Sequence, residues 1–433
     1  MVIDLDFDLR CFCRAAGCRR AASVVLAMLM SVGCAYAQAT FALKDGDRVV
    51  FYGDSITEPR LYTSFVESYV VTRFQQSHIE FRNSAWGGDR ADGGRGGPID
   101  VRLKRDVIAH RPTVFAVMLG INDGRGQPYN TPMYARFTAG YEHIVNVLRE
   151  SIPDLRITLL QPSPYDEVTR PPAFGGGGYN GVMVRYGEFV KEFGGREGFT
   201  IADLNAPLVS VLVAAQAKDP ALAKRIAGDG THPGVAGHLI LAEAVLKAWH
   251  APALVSDVTI DAAGSRVNRA SNSKITDLRT GKEISWTEID DALPFAVDTS
   301  DPAIALAVSC SDFVQSLDQE TLEVSGLRAD RYLLSIDGDR VGVFSREQLH
   351  SGINLALLDT PMFRQALRVH DLTIQRNEIQ FGRWRQVEMV LEKESPPHKQ
   401  AALDALEALQ GDLLAQQRAL AVPVPHHFEL IPQ

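Results

Sequence analysis

The stretch from Arg48 to Thr57, RVVFYGDSIT, constrains the fold of this chain more than any other. Its β-branched and aromatic residues form a short unbroken run, which is typical of a buried strand. The run ends at Gly53-Asp54-Ser55, three residues that favour turns. We therefore predict a strand that presents Ser55 at the carboxyl edge of a sheet, where open α/β sheets bind their ligands.

Strand and helix patterns alternate from Gly46 to about Trp249. Further strands are predicted at 79–83, 113–119, 156–161 and 199–202, with amphipathic helical segments between them. Such an alternation predicts a parallel sheet with right-handed crossovers and helices on both faces.

The pattern changes after Pro252. Short strand-like segments follow one another up to Phe344, among them 255–267 and 303–308, and Asp337-Gly338 is a hairpin signal. From Leu355 onward the pattern is helical. The predicted organisation is a domain at 38–250, a small β-rich accessory domain at 251–350 and a helical region at 351–433.

Length and charge limit the classes of function. A chain of 433 residues suits two or three domains, each with its own core. The formal net charge of -9 provides no basic surface for nucleic acid, so we expect no nucleic-acid partner.

The N-terminus resembles a secretory signal peptide, predicted at residues 1–37. An apolar run from Ala21 to Val32 follows several arginines and precedes Ala35-Tyr36-Ala37. The run is too short to span a bilayer comfortably, so we expect an exported protein, periplasmic or secreted, without a transmembrane span in the mature chain. An alternative is a lipid anchor on Cys34, although Ser31 fits that motif poorly.

Removal of the signal would leave Cys310 as the single cysteine. The mature chain then has no intrachain disulfide and no cysteine-based zinc site. No cluster of His, Glu and Asp has metal-ligand spacing either, and we predict neither a metal nor another cofactor.

Four short blocks occur in order along the predicted sheet edge: Gly53-Asp54-Ser55, Asn83 to Gly88, Gly120 to Asp123 and Asp229 to His232. Together they resemble the SGNH (GDSL-type) hydrolase family, which is named for a serine, a glycine, an asparagine and a histidine in four such blocks. The resemblance covers about 46–250 and implies a flavodoxin-like three-layer α/β/α fold.

The resemblance also implies the site residues of a serine esterase. Ser55 is the expected nucleophile, His232 the base that activates it, and Asp229 the carboxylate that orients His232. The expected oxyanion hole comprises the backbone N–H groups of Ser55 and Gly88 and the side-chain amide of Asn122.

Other residues near these blocks are expected to be structural. Asp54 and Asp123 would bond turn backbone or neighbouring loops, and His238 would be an ordinary helix residue. The G-x-S-x-G elbow of α/β-hydrolases is absent, because Thr57 stands where its second glycine belongs.

The sequence thus predicts an exported serine esterase acting through an acyl-enzyme. Glycine-rich polar loops with Trp86, Tyr129 and Tyr179 nearby favour O-acetyl groups on carbohydrate as the substrate. A lysophospholipase or another lipid or small acyl-ester hydrolase is the alternative. The alternative from another class is an inert carbohydrate-binding surface protein. The acyl-chain preference and the oligomeric state are left open.

Overall fold

Five parallel strands form the sheet that organises the first half of the chain. The computed structural model describes residues 40–433. The strands, in chain order, are β1 (Arg48–Gly53), β2 (Glu80–Asn83), β3 (Val114–Met118), β4 (Arg156–Leu160) and β5 (Thr200–Ala202). Their spatial order is 2-1-3-4-5, with β1 and β3 at the point where the order reverses. Ligands of open α/β sheets bind at such a point, so the topology places the candidate site there.

Helices cover both faces of this sheet. They are α1 (Leu61–Arg73), α2 (Ile99–Asp106), α3 (Thr131–Ser151), α4 (Gly178–Glu197), α5 (Ala206–Lys218), α6 (Pro220–Ala227) and α7 (Val235–Ala248). Helices α1 and α7 pack together on one face, and α3 packs against α2 and α4 on the other. The three-layer α/β/α domain predicted from the sequence is therefore confirmed.

The core of this domain follows from the unbroken apolar runs. All five residues of β3 are buried, and so are five of the six in β1. A strand with helices on both faces must be apolar on both sides, which explains why these runs do not alternate. Smaller elements are a two-residue ladder (Gly93–Gly94 with Gly97–Pro98) and a 3₁₀ turn (Ile108–His110).

Two further sheets follow. Their strands are β6 (Leu254–Asp261), β7 (Arg266–Ser271), β8 (Ser273–Arg279), β9 (Ile284–Asp290), β10 (Gln319–Ser325), β11 (Arg331–Ile336), β12 (Asp339–Ser345), β13 (Ile353–Asn354) and β14 (His426–Pro432). One sheet has the order β8-β9-β14-β11-β12, and the other has β13-β10-β6-β7. The predicted hairpin turn at Asp337-Gly338 joins β11 and β12, and both residues have positive φ.

Helices accompany these sheets and continue after them. They are α8 (Pro302–Ser309), α9 (Phe313–Leu317), α10 (Arg346–Ser351), α11 (Pro361–Phe381) and α12 (Lys399–Leu420), with a π-helix at Gly382–Glu388. Helix α11 packs against α12 and also against α1, the helix that follows Ser55. The C-terminal region therefore contacts the hydrolase-like domain close to its candidate site.

The structure differs from the sequence predictions in three places. Residues 303–308, predicted as a strand, lie in α8, where the Asp301 side chain accepts a hydrogen bond from the backbone N–H of Ala303 at 2.7 Å. Residues 255–267, predicted as one strand, comprise β6, a turn and the start of β7. The predicted helical region 351–433 ends in a strand, β14, which lies between β9 and β11.

Residues Phe41–Gln433 form one compact unit, and the boundaries near 250 and 350 remain predictions. No helix among residues 40–433 is both long and apolar enough to cross a bilayer. The predicted signal peptide and Cys34 lie outside the described residues.

Candidate active site

The turn after β1 presents Ser55 at the carboxyl edge of the sheet. A Cβ atom on Gly53 would lie 2.5 Å from Thr57 Oγ1 and 2.8 Å from the Met118 carbonyl, so only glycine fits there. The buried Asp54 closes the turn by accepting a hydrogen bond from the backbone N–H of Ile56 at 3.0 Å. Ser55 itself is half-buried and accessible.

Ser55, His232 and Asp229 form one hydrogen-bonded chain. Ser55 Oγ lies 2.8 Å from His232 Nε2. On the other side of the ring, His232 Nδ1 lies 2.8 Å from Asp229 Oδ2. Ser55 lies 177 residues before His232 in the sequence, and the structure brings it to the His232–Asp229 pair in the order predicted for the three residues.

Asp229 holds the loop of His232 as well as its ring. Its Oδ1 atom accepts hydrogen bonds from the backbone N–H groups of Thr231 at 2.8 Å and His232 at 2.7 Å. Partial burial raises the pKa of Asp229, but the backbone and side-chain hydrogen bonds from His232 outweigh burial and lower it below the usual value. Asp229 is therefore ionised at neutral pH and favours a proton on Nδ1 of the ring.

The three hydrogen-bond donors predicted for the oxyanion hole lie near Ser55, His232 and Asp229. The backbone N–H groups of Ser55 and Gly88 have no acceptor within the described part of the chain. Gly88 has a φ of 84°, which favours glycine. One N–H of the Asn122 amide donates to the Asp89 carbonyl at 3.1 Å, which leaves the second N–H for another acceptor.

Asn83 connects the nucleophile turn with the loop of Gly88. Its Nδ2 atom donates to the Thr57 carbonyl at 2.7 Å, and its Oδ1 atom accepts from the backbone N–H of Ala85 at 3.1 Å. One side chain thus fixes the relative positions of two of the predicted donors.

The residues predicted to be structural have such contacts. Asp54 bonds its own turn, and Asp123 Oδ1 accepts from the backbone N–H of Ala91 at 3.0 Å. Burial raises the pKa of each carboxyl to about 7. His238 is buried in α7 and stacks on Tyr62, and burial lowers its pKa to about 3, so its ring is neutral.

A cleft of about 510 Å³ opens beside Gly88 and Asn122, two of the three donors, whereas Ser55 does not line it. Its wall includes Gly88, Asn122 and Thr231, the residue before His232. Of the aromatic residues singled out in the sequence, Tyr179 lines the cleft, whereas Trp86 and Tyr129 do not. Gly87 does not line it either, although a Cβ atom built on Gly87 would be 3.6 Å from Ser55 Cβ.

The π-helix of the C-terminal region contacts this site, which the sequence did not predict. Arg385 Nη1 donates to Glu58 Oε1 at 2.7 Å, and the Arg385 guanidinium lies 3.4 Å from the centroid of the Trp86 ring. Glu58 and Trp86 belong to the nucleophile turn and to the loop of Gly88. Glu58, three residues after Ser55, and Arg60 are charged residues that could have suggested such a contact.

Within residues 40–433, no group of three or more His, Cys, Asp or Glu side chains is arranged to hold a metal ion.

Comparisons with known proteins identify relatives of the α/β/α domain. Residues 51–240 match the sequence model of the GDSL-like lipase/acylhydrolase family. An acetylxylan esterase from Geobacillus stearothermophilus is 29% identical over 223 residues, which are 47% of this chain and 93% of that protein. The crystal structure of that acetylxylan esterase, Axe2, aligns with 48% of this chain and 96% of its own at 24% identity, with a TM-score of 0.38.

A gut microbial diltiazem-metabolizing enzyme is similar over a longer range. Its structure aligns with 92% of this chain and 100% of its own, with 27% identity and a TM-score of 0.79. The alignment extends beyond the α/β/α domain, so that enzyme shares much of the β-rich and C-terminal architecture as well.

The α/β/α fold and the family match identify the first domain as that of a hydrolase. Residues 51–240 form an SGNH, or GDSL-type, hydrolase domain, and the comparisons support a carboxylic ester hydrolase.

Proposed function

We propose that this chain is a serine esterase in which Ser55 is the nucleophile, His232 the general base and Asp229 the residue that orients His232. The observation that carries the proposal is the chain of 2.8 Å contacts from Ser55 Oγ through the His232 ring to Asp229. Such a chain meets the geometric requirement for an activated serine.

The reaction begins when Ser55 Oγ attacks the ester carbonyl and His232 Nε2 accepts the hydroxyl proton. The carbonyl oxygen of the tetrahedral intermediate then accepts hydrogen bonds from the backbone N–H groups of Ser55 and Gly88 and from the free N–H of Asn122. His232 passes the proton to the departing alcohol. Water activated by the same histidine hydrolyses the acyl-enzyme.

The proposed substrate is an O-acetyl group on carbohydrate. The cleft wall, as far as it is described, contains no Leu or Phe and includes polar or charged side chains such as Asn122 and Thr231. A long acyl chain binds best against a continuous apolar wall. The similarity to an acetylxylan esterase supports the same substrate class.

The alternative candidate is a lipid or longer-acyl esterase. Hydrolysis of p-nitrophenyl acetate, butyrate and octanoate decides between the two, together with acetate release from an acetylated glycan. We expect the highest kcat/KM on acetate and no activity above background in Ser55→Ala. Preference for octanoate would favour the lipid candidate, and equal rates in wild type and Ser55→Ala would refute the nucleophile assignment.

Export to the periplasm or the medium remains part of the proposal. It is supported by the N-terminal charge, apolar run and Ala35-Tyr36-Ala37 pattern. Sequencing the N-terminus of the protein expressed in a bacterial host tests it. We expect the mature chain to begin at Gln38, whereas a retained Met1 would contradict export through a cleaved signal.

A further inference from the structure

Three arginine side chains line the cleft beside the site. They are Arg90, Arg95 and Arg125, and none of the lining residues within 40–433 is acidic. The chain as a whole carries a formal net charge of -9. The cleft therefore has a positive wall within an acidic protein, and such a wall attracts anionic substrates.

Two of these arginines have no partner among residues 40–433. Arg90 pairs with Asp92 at 3.0 Å. Arg95 and Arg125 are exposed, and neither makes an ion pair or a side-chain hydrogen bond with any described residue. By contrast, other arginines nearby form ion pairs: Arg102 with Asp89, Arg170 with Asp166 and Arg385 with Glu58.

Arg95 lies directly against the proposed oxyanion hole. A Cβ atom built on Gly88 would be 2.9 Å from Arg95 Cδ and 3.2 Å from its Nε, so the stem of Arg95 crosses the open side of that glycine. The Arg95 side chain therefore lies next to Gly88, one of the proposed oxyanion-hole donors.

Arg125 occupies a turn whose backbone does not favour it. Its φ is 53°, a left-handed conformation that Gly, Asn and Asp adopt far more readily. The turn follows Asn122 by only three residues. Neither the turn geometry nor a contact with a described residue explains an arginine at position 125. An anionic ligand bound in the cleft would explain it.

We propose that the alcohol part of the substrate carries an anionic oxyacid group, which Arg95 and Arg125 bind. The substrate class is then an acetylated acidic carbohydrate, such as an O-acetylated uronic acid residue. Planar guanidinium groups match carboxylate, sulfate and phosphate oxygens, whereas a neutral xylan has no group that requires them. This inference rests on the function proposed above and specifies its substrate.

The test compares one glycan with and without its charge. Acetate release is measured from O-acetylated oligogalacturonides with free carboxylates and from the same material after methyl esterification. We expect kcat/KM of the wild type to be about tenfold or more higher on the free acid at low salt. Added salt should lower the rate on the free acid and leave the methyl ester nearly unaffected.

Variants assign the effect to the two side chains. Arg95→Gln and Arg125→Gln should each reduce the preference for the free acid by about 3- to 10-fold, and the double variant should abolish it. Rates on the methyl ester should change by less than about twofold. Arg340→Gln, an exposed arginine in β12 outside the cleft, is the matched control and should keep the wild-type preference.

Equal kcat/KM of the wild type on both substrates would overturn the proposal, as would a preference that persists in the double variant. The comparison of wild-type kcat/KM on the free acid and the methyl ester, with its salt dependence, still tests the proposal if a variant misfolds. Sulfated and phosphorylated acetyl glycans, run alongside, show which oxyacid is preferred. If the wild type releases acetate from none of these substrates, or if Ser55→Ala releases it as fast, the proposed function fails as well.

Discussion

Arg385, in the C-terminal π-helix, forms an ion pair with Glu58, three residues after Ser55, at 2.7 Å. The same guanidinium covers the Trp86 ring in the loop that leads to Gly88. A second contact joins the segment after Ser55 to the preceding helix α11, because Arg60 pairs with Glu378 at 2.6 Å and lies over Phe381. The C-terminal region therefore holds two loops of the candidate site in place.

Replacing Arg385 should slow the reaction without weakening substrate binding. In Arg385→Met the nucleophile turn and the Gly88 loop lose their common contact, and small displacements of reacting groups are costly. We expect kcat to fall by about 3- to 10-fold with little change in KM. Steady-state kinetics on p-nitrophenyl acetate measures the two separately.

The control for Arg385 is Arg383→Met in the same π-helix. Arg383 pairs with Glu388 and Glu407 and makes no ion pair with the site loops. The Arg383→Met variant should therefore keep the wild-type kcat. A kcat loss of the same size in both variants would indicate general destabilisation rather than positioning of the site.

The contact between α1 and the C-terminal helices depends on a buried ion pair. Glu67 of α1 accepts hydrogen bonds from Arg376 and, at 3.3 Å, from Asn377, both on α11. Removing one partner leaves the other charge buried and unpaired, so Arg376→Ala should destabilise the protein by about 3–5 kcal/mol. Urea denaturation measures this loss.

Arg364→Ala, also on α11, is the matched control for Arg376→Ala. Its partners Asp339 and Asp359 are exposed, so the loss should be below about 1 kcal/mol. Similar losses for the two variants would mean that the Glu67 pair does not hold the C-terminal region on the first domain.

The side-chain amide of Asn122 can be replaced by a carboxylate of nearly the same shape, which removes one hydrogen-bond donor. Asn122→Asp loses the N–H that would meet the oxyanion and places a negative charge there, so kcat should fall at least about 10²- to 10³-fold. The decrease should appear in kcat more than in KM, because the donor acts in the transition state. An Asn122→Asp enzyme within tenfold of the wild type would exclude Asn122 from the oxyanion hole.

A group of buried carboxyls should make stability fall as the pH rises. Burial raises the pKa of Asp290 and of Asp318 to about 6, and it holds the pKa of Glu320 well above the usual value. The favourable contribution of these carboxyls to the free energy of unfolding is complete below about pH 4, where they are also protonated in the unfolded chain. It is lost as the pH rises through their pKa values in the folded protein. Neither carboxyl oxygen of Glu320 has a hydrogen-bond partner among the described residues.

Glu320→Gln removes one of these charges and should raise Tm at pH 8 more than at pH 5. Calorimetry at the two pH values measures the difference. Glu323→Gln, on the same strand but partly exposed, is the control and should keep the wild-type pH dependence. A Tm that rises with pH in the wild type and is unaltered by Glu320→Gln would contradict this account.

The first domain was predictable because its signals are local. The central strands β1 and β3 are apolar runs that end in turn residues, and parallel topology brings the strand ends to one edge. Ser55, Asn122 and His232 could therefore be placed near one another from the sequence. The 2.8 Å contacts themselves required the structure.

The second half was harder to predict, for physical reasons. The run AIALAV at 303–308 fits a buried strand or a buried helix equally well, and the decisive signal was the Asp301-Pro302 start. The strand β14 is paired with partners more than 80 residues away, which no local pattern reveals. The contact of Arg385 with Glu58 and the clustering of Arg95 and Arg125 likewise depend on tertiary structure.

Covalent labelling with diethyl p-nitrophenyl phosphate, which phosphorylates activated serines, tests directly whether Ser55 is the nucleophile. We expect one equivalent of p-nitrophenolate per chain, loss of esterase activity in parallel, and the diethyl phosphate on Ser55 by peptide mass spectrometry. His232→Ala should label far more slowly. A label on another residue, or full activity after Ser55 is modified, would contradict the account.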